Sequence, residues 1–128
     1  MKKVLVFSWL ILSAMVANCQ NDSKVEVYYF HLTNRCVTCK AVENVASLSL
    51  KNNFAAEMKS GQIVFKSVNI EDKDSKALMK KLNVNGQSLI MYAGDKKTDL
   101  TAKGFQYART KPDEFEKIIV KEVKQLMK

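Results

Sequence analysis

The feature that most constrains this chain is a pair of cysteines, Cys36 and Cys39, placed between a strand pattern and a helix pattern. Residues 25–31 (VEVYYFH) are β-branched and aromatic, which is typical of a strand. After the second residue this strand is apolar on both faces, so we expect it to be central and covered on both sides. From residue 37 apolar side chains recur at helical spacing. The cysteine pair therefore stands where a buried strand passes into a helix.

The rest of the chain predicts an α/β protein with the order β-α-β-α-β-β-α. A helix follows over 37–59, with Ala41, Val45 and Leu48 on its apolar stripe and an interruption near 51–53. Val42 and Ala46 widen that stripe. The later elements are a strand over 63–70, a helix capped by Asp72 or Asp74, a strand over 88–92, a polar edge strand over 97–102, and a last helix capped by Thr110 with Pro112 in its first turn. A βαβ start requires parallel strands joined by a right-handed crossover.

Length and composition exclude several classes of protein. The chain has 128 residues, enough for about one domain, so a separate nucleotide-binding domain does not fit. Three cysteines and one histidine are too few for an array of zinc fingers. The formal net charge is +8, but the lysines are scattered and no stripe interleaves them with aromatics. We therefore expect no nucleic-acid partner.

Residues 1–19 have the pattern of an export signal. Lys2 and Lys3 precede an apolar run over 4–16, and small or polar residues follow up to Cys19. The run is shorter than the roughly 20 residues that span a bilayer. Two processing routes stay open: lipidation of Cys19, although Asn18 departs from the lipoprotein pattern, or cleavage after Cys19. We expect a tether over 20–24, one domain over 25–128, and a periplasmic or lipid-anchored location, with membrane contact only through the anchor.

The position of Cys36 favours a reactive thiolate. At the N-terminal edge of a helix, free backbone N–H groups and the helix dipole stabilise negative charge on sulfur. Arg35 and Lys40 add nearby positive charge, which raises the thiolate fraction further. Cys39, one turn into the helix, is expected to be more buried and to act as the resolving thiol.

Two other interpretations of the pair stay open. A disulfide that closes so small a loop removes little entropy from the unfolded chain, which disfavours a purely structural bridge. A metal site could combine Cys36 and Cys39 with His31, the single histidine. Two thiolates and an imidazole suit a soft ion such as copper(I), or zinc. His31 could instead accept a proton from Cys39, or be an ordinary residue at a strand end.

Together these residues resemble the thioredoxin-like superfamily across 25–128. The aromatic strand 28–30, followed by the CxxC of residues 36–39 and by Lys40, matches that family. The resemblance implies a three-layer fold around a central mixed sheet. It also implies that Cys36 attacks and Cys39 resolves, with protein dithiols or disulfides of the cell envelope as partners and no cofactor beyond the dithiol.

A second resemblance is to a small exported bacterial thioredoxin-like family labelled as a nitrophenyl-compound nitroreductase subunit. Nitro reduction needs a flavin or a similar electron carrier, and the sequence has no dinucleotide fingerprint. The label therefore adds little to the reading of the cysteines.

The chain departs from the thioredoxin pattern around the cysteines. Arg35 replaces a tryptophan, residues 37–38 replace Gly-Pro, and Phe30 replaces a buried aspartate. Ser88 stands where the family has a cis-proline that faces the CxxC. These changes put the usual substrate groove in doubt and open the cysteines to a metal ion. We expect an exported thiol-disulfide oxidoreductase, with a soft-metal or metalloid binding module, or a non-catalytic thioredoxin-like subunit, as the alternatives.

Overall fold

The structure, a computed structural model, describes residues 23–128. The predicted export signal, Cys19 and the first part of the tether lie outside the described residues. Within them the elements are β1 (Val25–His31), α1 (Val37–Asn53), α2 (Ala55–Ser60), β2 (Ile63–Asn69), α3 (Ser75–Leu82), β3 (Ser88–Ala93), β4 (Lys96–Asp99), α4 (Thr101–Tyr107) and α5 (Pro112–Leu126). No helix in residues 23–128 is long and apolar enough to cross a membrane.

The strands form one mixed sheet in the order β2-β1-β3-β4. β1 pairs with β2 in parallel, with His31 opposite Asn69 at their carboxyl ends. It pairs with β3 in the antiparallel sense, with Phe30 opposite Ser88. The predicted central place of β1 and its parallel pairing with β2 are confirmed, and β4 is the predicted edge strand.

Helices cover both faces of the sheet. Side chains of β1 point alternately to the two faces and are apolar on both, so each face needs cover. Val25, Val27 and Tyr29 pack into a large cluster with apolar side chains of α1, α4 and α5. Tyr28 and Phe30 face a small cluster that includes partly buried side chains of α3. This is a three-layer α/β arrangement of the thioredoxin-like kind, as expected.

The first predicted helix is two helices separated by Phe54. The Phe54 backbone leaves the helical region (φ −136°, ψ 39°), and its side chain is buried in the large cluster. The predicted apolar stripe is wrong at Leu48, which is 55% exposed. Val42 and Ala46, which were expected to widen that stripe, line the buried face together with Leu50, and their spacing of four residues turns Leu48 outward.

The predicted strand over 97–102 is wrong at its end, where α4 begins. Asp99 Oδ1 accepts the Thr101 N–H at 2.9 Å, and Thr101 Oγ1 accepts the Leu89 N–H at 3.0 Å. Gly104 weakens the helical pattern in the sequence. Glycine nevertheless lets α4 pack closely there, because a Cβ would lie 3.0 Å from Val42 and 3.1 Å from Phe115 and would require those side chains to shift.

The predicted helix caps also differ. Lys111, not Thr110, holds the N-cap position of α5, and the Thr110 hydroxyl donates to the Gln106 carbonyl at 2.9 Å. Asp74 precedes α3 without a capping hydrogen bond from its side chain. The Ser75 hydroxyl instead donates to the Asp72 carbonyl at 2.7 Å. These helix starts are therefore set by turns and packing rather than by the predicted side-chain caps.

Candidate active site

Cys36 and Cys39 form a disulfide at the start of α1, with their Cα atoms 5.0 Å apart. Cys36 is the N-cap residue, in extended conformation (φ −69°, ψ 164°), as its place in the sequence predicts. Its sulfur accepts the Cys39 N–H at 3.1 Å. Cys36 is exposed, whereas Cys39 is only 4% exposed. One sulfur is thus accessible and faces a backbone donor, and the other is covered.

A side chain of β1 binds the backbone of Cys39. The Tyr29 hydroxyl donates to the Cys39 carbonyl at 2.9 Å, and Tyr29 is fully buried. Burial raises the pKa of Tyr29, and the nearby Arg35 charge lowers it by less. The phenol therefore stays protonated and keeps donating. Sequence analysis missed this contact, although a tyrosine in a doubly covered strand needs a partner for its hydroxyl.

His31 lies on the same face of β1 as Tyr29. It is 7% exposed, and its ring stacks on Tyr29 with centroids 5.9 Å apart. His31 Nδ1 is 2.8 Å from the Leu32 carbonyl oxygen. A carbonyl only accepts, so Nδ1 carries the proton, and Nε2 is the nitrogen that can accept one. The ring has thus turned inward, to the side of the sheet where Cys39 lies.

A metal site of three ligands is not assembled in the described part of the chain. Among residues 23–128, no group of three or more His, Cys, Asp or Glu side chains is placed to hold a metal ion. Cys36 and Cys39 are joined in a disulfide here, so metal binding by the reduced pair with His31 stays a prediction.

The two cations beside the disulfide differ in their partners. Arg35 forms a partly buried ion pair with Glu43, a residue that sequence analysis did not single out. The charge of Arg35 is therefore largely balanced. Lys40 is exposed, and the salt bridges found in residues 23–128 do not include it. Its backbone N–H donates to the Cys36 carbonyl at 3.1 Å, so Lys40 stands one turn beyond Cys36.

The loop before Cys36 is tied to the end of β2. The Thr33 N–H donates to Glu71 Oε2 at 2.7 Å, and the Asn69 amide donates to Thr33 Oγ1 at 2.8 Å. Glu71 in turn donates its backbone N–H to Asn69 Oδ1 at 3.0 Å. Hydrogen bonds from Thr33, the side chain first, lower the pKa of Glu71. Sequence analysis missed this network because its members are far apart in the chain.

Ser88 opens β3 at the sheet edge where β1 ends, because it pairs with Phe30. It is 7% exposed, and its hydroxyl donates to the Gly86 carbonyl at 3.1 Å. No cis peptide bond occurs in residues 23–128. The residue in the predicted cis-proline slot thus has an ordinary trans backbone. The Ser88 hydroxyl stabilises the turn that precedes β3 through this bond to Gly86.

Comparison with known proteins gives limited guidance. No protein-family model matches the chain, and no curated protein matches it. A solved structure that is similar to it is the crystal structure of Trxlp from Edwardsiella tarda EIB202, with 18% identity and a TM-score of 0.49. That likeness covers 78% of this chain and 85% of the other. The function of the present chain must therefore be argued from its own residues, and the nitroreductase-subunit label stays a prediction.

The fold and the site together define a class of protein. A central β1, a parallel β2, an antiparallel β3 and helices on both faces surround a CxxC disulfide at the start of α1. This is an α/β protein of thioredoxin-like fold that carries a disulfide at the place where such a fold exposes a helix N-terminus.

Proposed function

We propose that this chain is a thiol-disulfide oxidoreductase of the cell envelope, with Cys36 as the attacking thiol and Cys39 as the resolving thiol. The observation that carries the proposal is the asymmetry of the pair. Cys36 is exposed and its sulfur faces the Cys39 N–H, whereas Cys39 is buried. A backbone donor at a helix N-terminus stabilises the thiolate that attacks.

In the reducing direction, the Cys36 thiolate attacks one sulfur of a substrate disulfide. The substrate S–S bond breaks, a mixed disulfide to Cys36 forms, and the released substrate thiolate takes a proton. Cys39 then loses its proton and attacks the Cys36 sulfur. This step restores the Cys36–Cys39 disulfide and releases the second substrate thiolate. Two electrons pass from the pair to the substrate, and oxidation of a substrate dithiol runs through the same steps in reverse.

The surroundings of the pair fit these two roles. Tyr29 fixes the Cys39 carbonyl, so the first turn of α1 keeps its position while the sulfur exchanges partners. His31 stacks on Tyr29, whose hydroxyl reaches the Cys39 carbonyl, and its Nε2 is the acceptor nitrogen. We propose that His31 takes the proton of Cys39 during the resolving step.

Trapping tests the assignment of the two thiols. Reduced Cys39→Ser protein is mixed with an excess of a small disulfide, and the adducts are counted by mass. We expect a stable adduct at Cys36, because the resolving thiol is gone. Cys36→Ser is the matched control and should form its adduct at least tenfold more slowly, since Cys39 is buried. The double variant retains Cys19 and gives the background. Equal trapping rates for the two single variants would contradict the assignment.

The competing prediction is a soft-metal or metalloid binding module. It requires the reduced pair to retain a stoichiometric ion after desalting, with release when both cysteines are replaced by serine. Reduced protein incubated with copper(I) or zinc and then desalted separates the two functions. We expect no stoichiometric ion to stay with the reduced protein after desalting. One ion retained by the wild type and lost from the double serine variant would favour the binding module.

The proposed location rests on residues 1–19. Protein disulfides form and persist in oxidising compartments, and an export signal would deliver the chain to one. Fractionation of bacterial cells tests this, with Cys19→Ala to separate lipidation from simple cleavage. Retention of the unprocessed chain in the cytoplasm would contradict the proposed location and leave the thiol chemistry to be judged by the trapping experiment.

A further inference from the structure

A polar groove of about 550 Å³ lies at the start of α1, lined by residues that precede and follow the cysteine pair in the chain. Its lining comes from the loop before Cys36 and from the outer face of the first two turns of α1: Thr33, Asn34, Arg35, Lys40, Glu43 and Asn44. Arg35 is joined by a peptide bond to Cys36, and Lys40 is hydrogen-bonded through its N–H to the Cys36 carbonyl. Because Lys40 lies four residues after Cys36, the two side chains share a face at the start of α1, and a group bound by Lys40 lies about one helical turn from Cys36.

The charges of the groove leave one cation available. Arg35 and Glu43 pair with each other, and both are partly buried, with exposures of 28% and 19% for their side chains. Glu43 is the only acidic residue in the lining, and it is already engaged. Lys40 is exposed and takes part in no ion pair found within residues 23–128. The groove thus offers a lysine and two asparagine amides.

The walls of the groove are held before any ligand arrives. Thr33 is fixed on one side by Glu71 and Asn69, with hydrogen bonds of 2.7 and 2.8 Å. On the other side, α1 begins at Val37 and carries Lys40 and Glu43 on a regular helix. A site formed in advance loses less entropy on binding than one that must order itself.

We propose that this groove selects disulfides that carry a carboxylate close to the reacting sulfur, with Lys40 as the counter-ion. The inference rests on the proposed function and adds its substrate class. The reaction is unchanged: Cys36 thiolate attacks, the substrate S–S bond breaks, and the mixed disulfide keeps the half of the substrate whose carboxylate faces Lys40. The leaving thiolate takes a proton from solvent. The carboxylate can belong to a small disulfide or to a Glu or Asp beside a cystine in a polypeptide.

Three small disulfides that differ in charge test the proposal: dithiodipropionate, bis-hydroxyethyl disulfide and cystamine. The rate of each with the reduced full chain is divided by its rate with mercaptoethanol in the same buffer. This removes the intrinsic reactivity of the probe. We expect the anionic probe to be the fastest on this scale and the cationic probe the slowest. The spread should shrink at high salt, because the Debye length falls from about 10 Å at 0.1 M to about 3 Å at 1 M.

Lys40→Gln is the decisive variant. It should lower the ratio of anionic to neutral rates by about threefold, the size expected of one exposed ion pair. Lys51→Gln is the matched control, because Lys51 is an exposed lysine in the last turn of the same helix and does not line the groove. Any effect of Lys40 on the Cys36 thiolate itself changes all three rates together and leaves the ratio unchanged. A second arm uses a disulfide-linked peptide with Glu or Gln beside its cysteine.

The outcomes separate the inference from the proposed function. A ratio that falls in Lys40→Gln and not in Lys51→Gln supports the groove, and the arm with the larger fall identifies a small or a polypeptide substrate. Equal ratios in wild type and both variants overturn the groove, while exchange at Cys36 still stands. If the wild type reacts with none of the probes faster than the double cysteine variant does, the proposed function fails and the inference fails with it.

Discussion

β1 contacts a helix layer on each of its faces, and the two layers bury their side chains to different degrees. On the face of the large cluster, Val27 and Tyr29 are fully buried beneath α1 and α5. On the other face, Tyr28 and Phe30 of β1 are buried as well, but the α3 side chain Leu78 that packs against them is only partly buried. The disulfide is attached to the better-buried layer, because α1 carries it and Tyr29 holds the Cys39 carbonyl.

This difference indicates a division of roles between the two faces. Thiol exchange changes the bonding at Cys36, while Cys39 must stay close enough to attack the Cys36 sulfur. The site therefore benefits from its attachment to the more fully buried layer, which is the large cluster beneath α1. The α3 face covers the sheet without contacting the disulfide through any hydrogen bond found in residues 23–128. The predictions below test that division by comparing matched changes on the two faces.

The largest expected contrast is in core packing. Leu50→Ala removes a fully buried side chain from the large cluster, and we expect a loss of about 3 kcal/mol in the free energy of unfolding. Leu78→Ala, on α3, removes a side chain already in part exposed to water and should cost about 1 kcal/mol. Urea unfolding of the oxidised proteins measures both. Equal losses would mean that the two faces contribute alike.

The second contrast concerns two tyrosine hydroxyls, each donating to a helix carbonyl. Tyr29→Phe removes the buried bond to Cys39 and should cost about 1 kcal/mol. Tyr92→Phe removes a bond to the Leu82 carbonyl, which keeps Lys97 Nζ at 3.2 Å, so its cost should be about 0.5 kcal/mol. In the reduced protein, alkylation of Cys39 should become faster in Tyr29→Phe only. Faster alkylation in both variants would show general loosening rather than a hold on Cys39.

Alkaline pH gives a smaller effect whose sign follows from burial. Burial raises the pKa of Tyr29 above its ordinary 10.0, so the unfolded chain loses this proton first. The contribution of Tyr29 to stability is therefore complete below about pH 10 and is lost as the pH rises through the folded pKa. Burial first, and then Glu26, raise the pKa of Tyr28 on the other face. Urea midpoints followed from pH 9 upward should fall less steeply in Tyr29→Phe, and an unchanged slope would contradict the assignment.

The smallest expected effect concerns the loop that neither face covers. Hydrogen bonds from Thr33 lower the pKa of Glu71 below its ordinary 4.5. The ionised Glu71 carboxylate therefore contributes to the stability of the folded loop above that pH, and this contribution is lost as the pH falls through the folded pKa. Glu71→Gln should speed hydrogen exchange at the Thr33 amide at neutral pH, with little change in global stability. Asp74→Asn, an exposed acid without a capping bond, is the matched control and should leave that amide unchanged.

Local sequence patterns predicted the parts of the fold that depend on neighbours along the chain. The alternation and burial of β1, and the entry from loop to helix at Cys36, are properties of about a dozen consecutive residues. The exposure of Cys36 and the burial of Cys39 follow from their places in one helical turn. The fold class and the placement of the cysteine pair at the start of α1 were therefore within reach of the sequence.

The contacts that the sequence missed join residues that the tertiary fold brings together. Glu71 reaches Thr33 across 38 positions, because the parallel register places His31 opposite Asn69. Likewise α4 packs closely on α1 and α5 at Gly104, where the absence of a Cβ offsets the low helix propensity of glycine. No pattern in a single sequence contains such a register, so neither the hydrogen bond between Thr33 and Glu71 nor helix α4 could be predicted from periodicity.

The most direct test of the central claim is the reduction potential of the Cys36–Cys39 pair. The metal-free protein is equilibrated in graded thiol buffers, and alkylated cysteines are counted by mass, with the double cysteine variant as the background for Cys19. The account predicts a reversible two-electron transition between about −270 and about −120 mV, the range of disulfide oxidoreductases. A pair that stays oxidised well below about −300 mV would be a structural bridge and would contradict it.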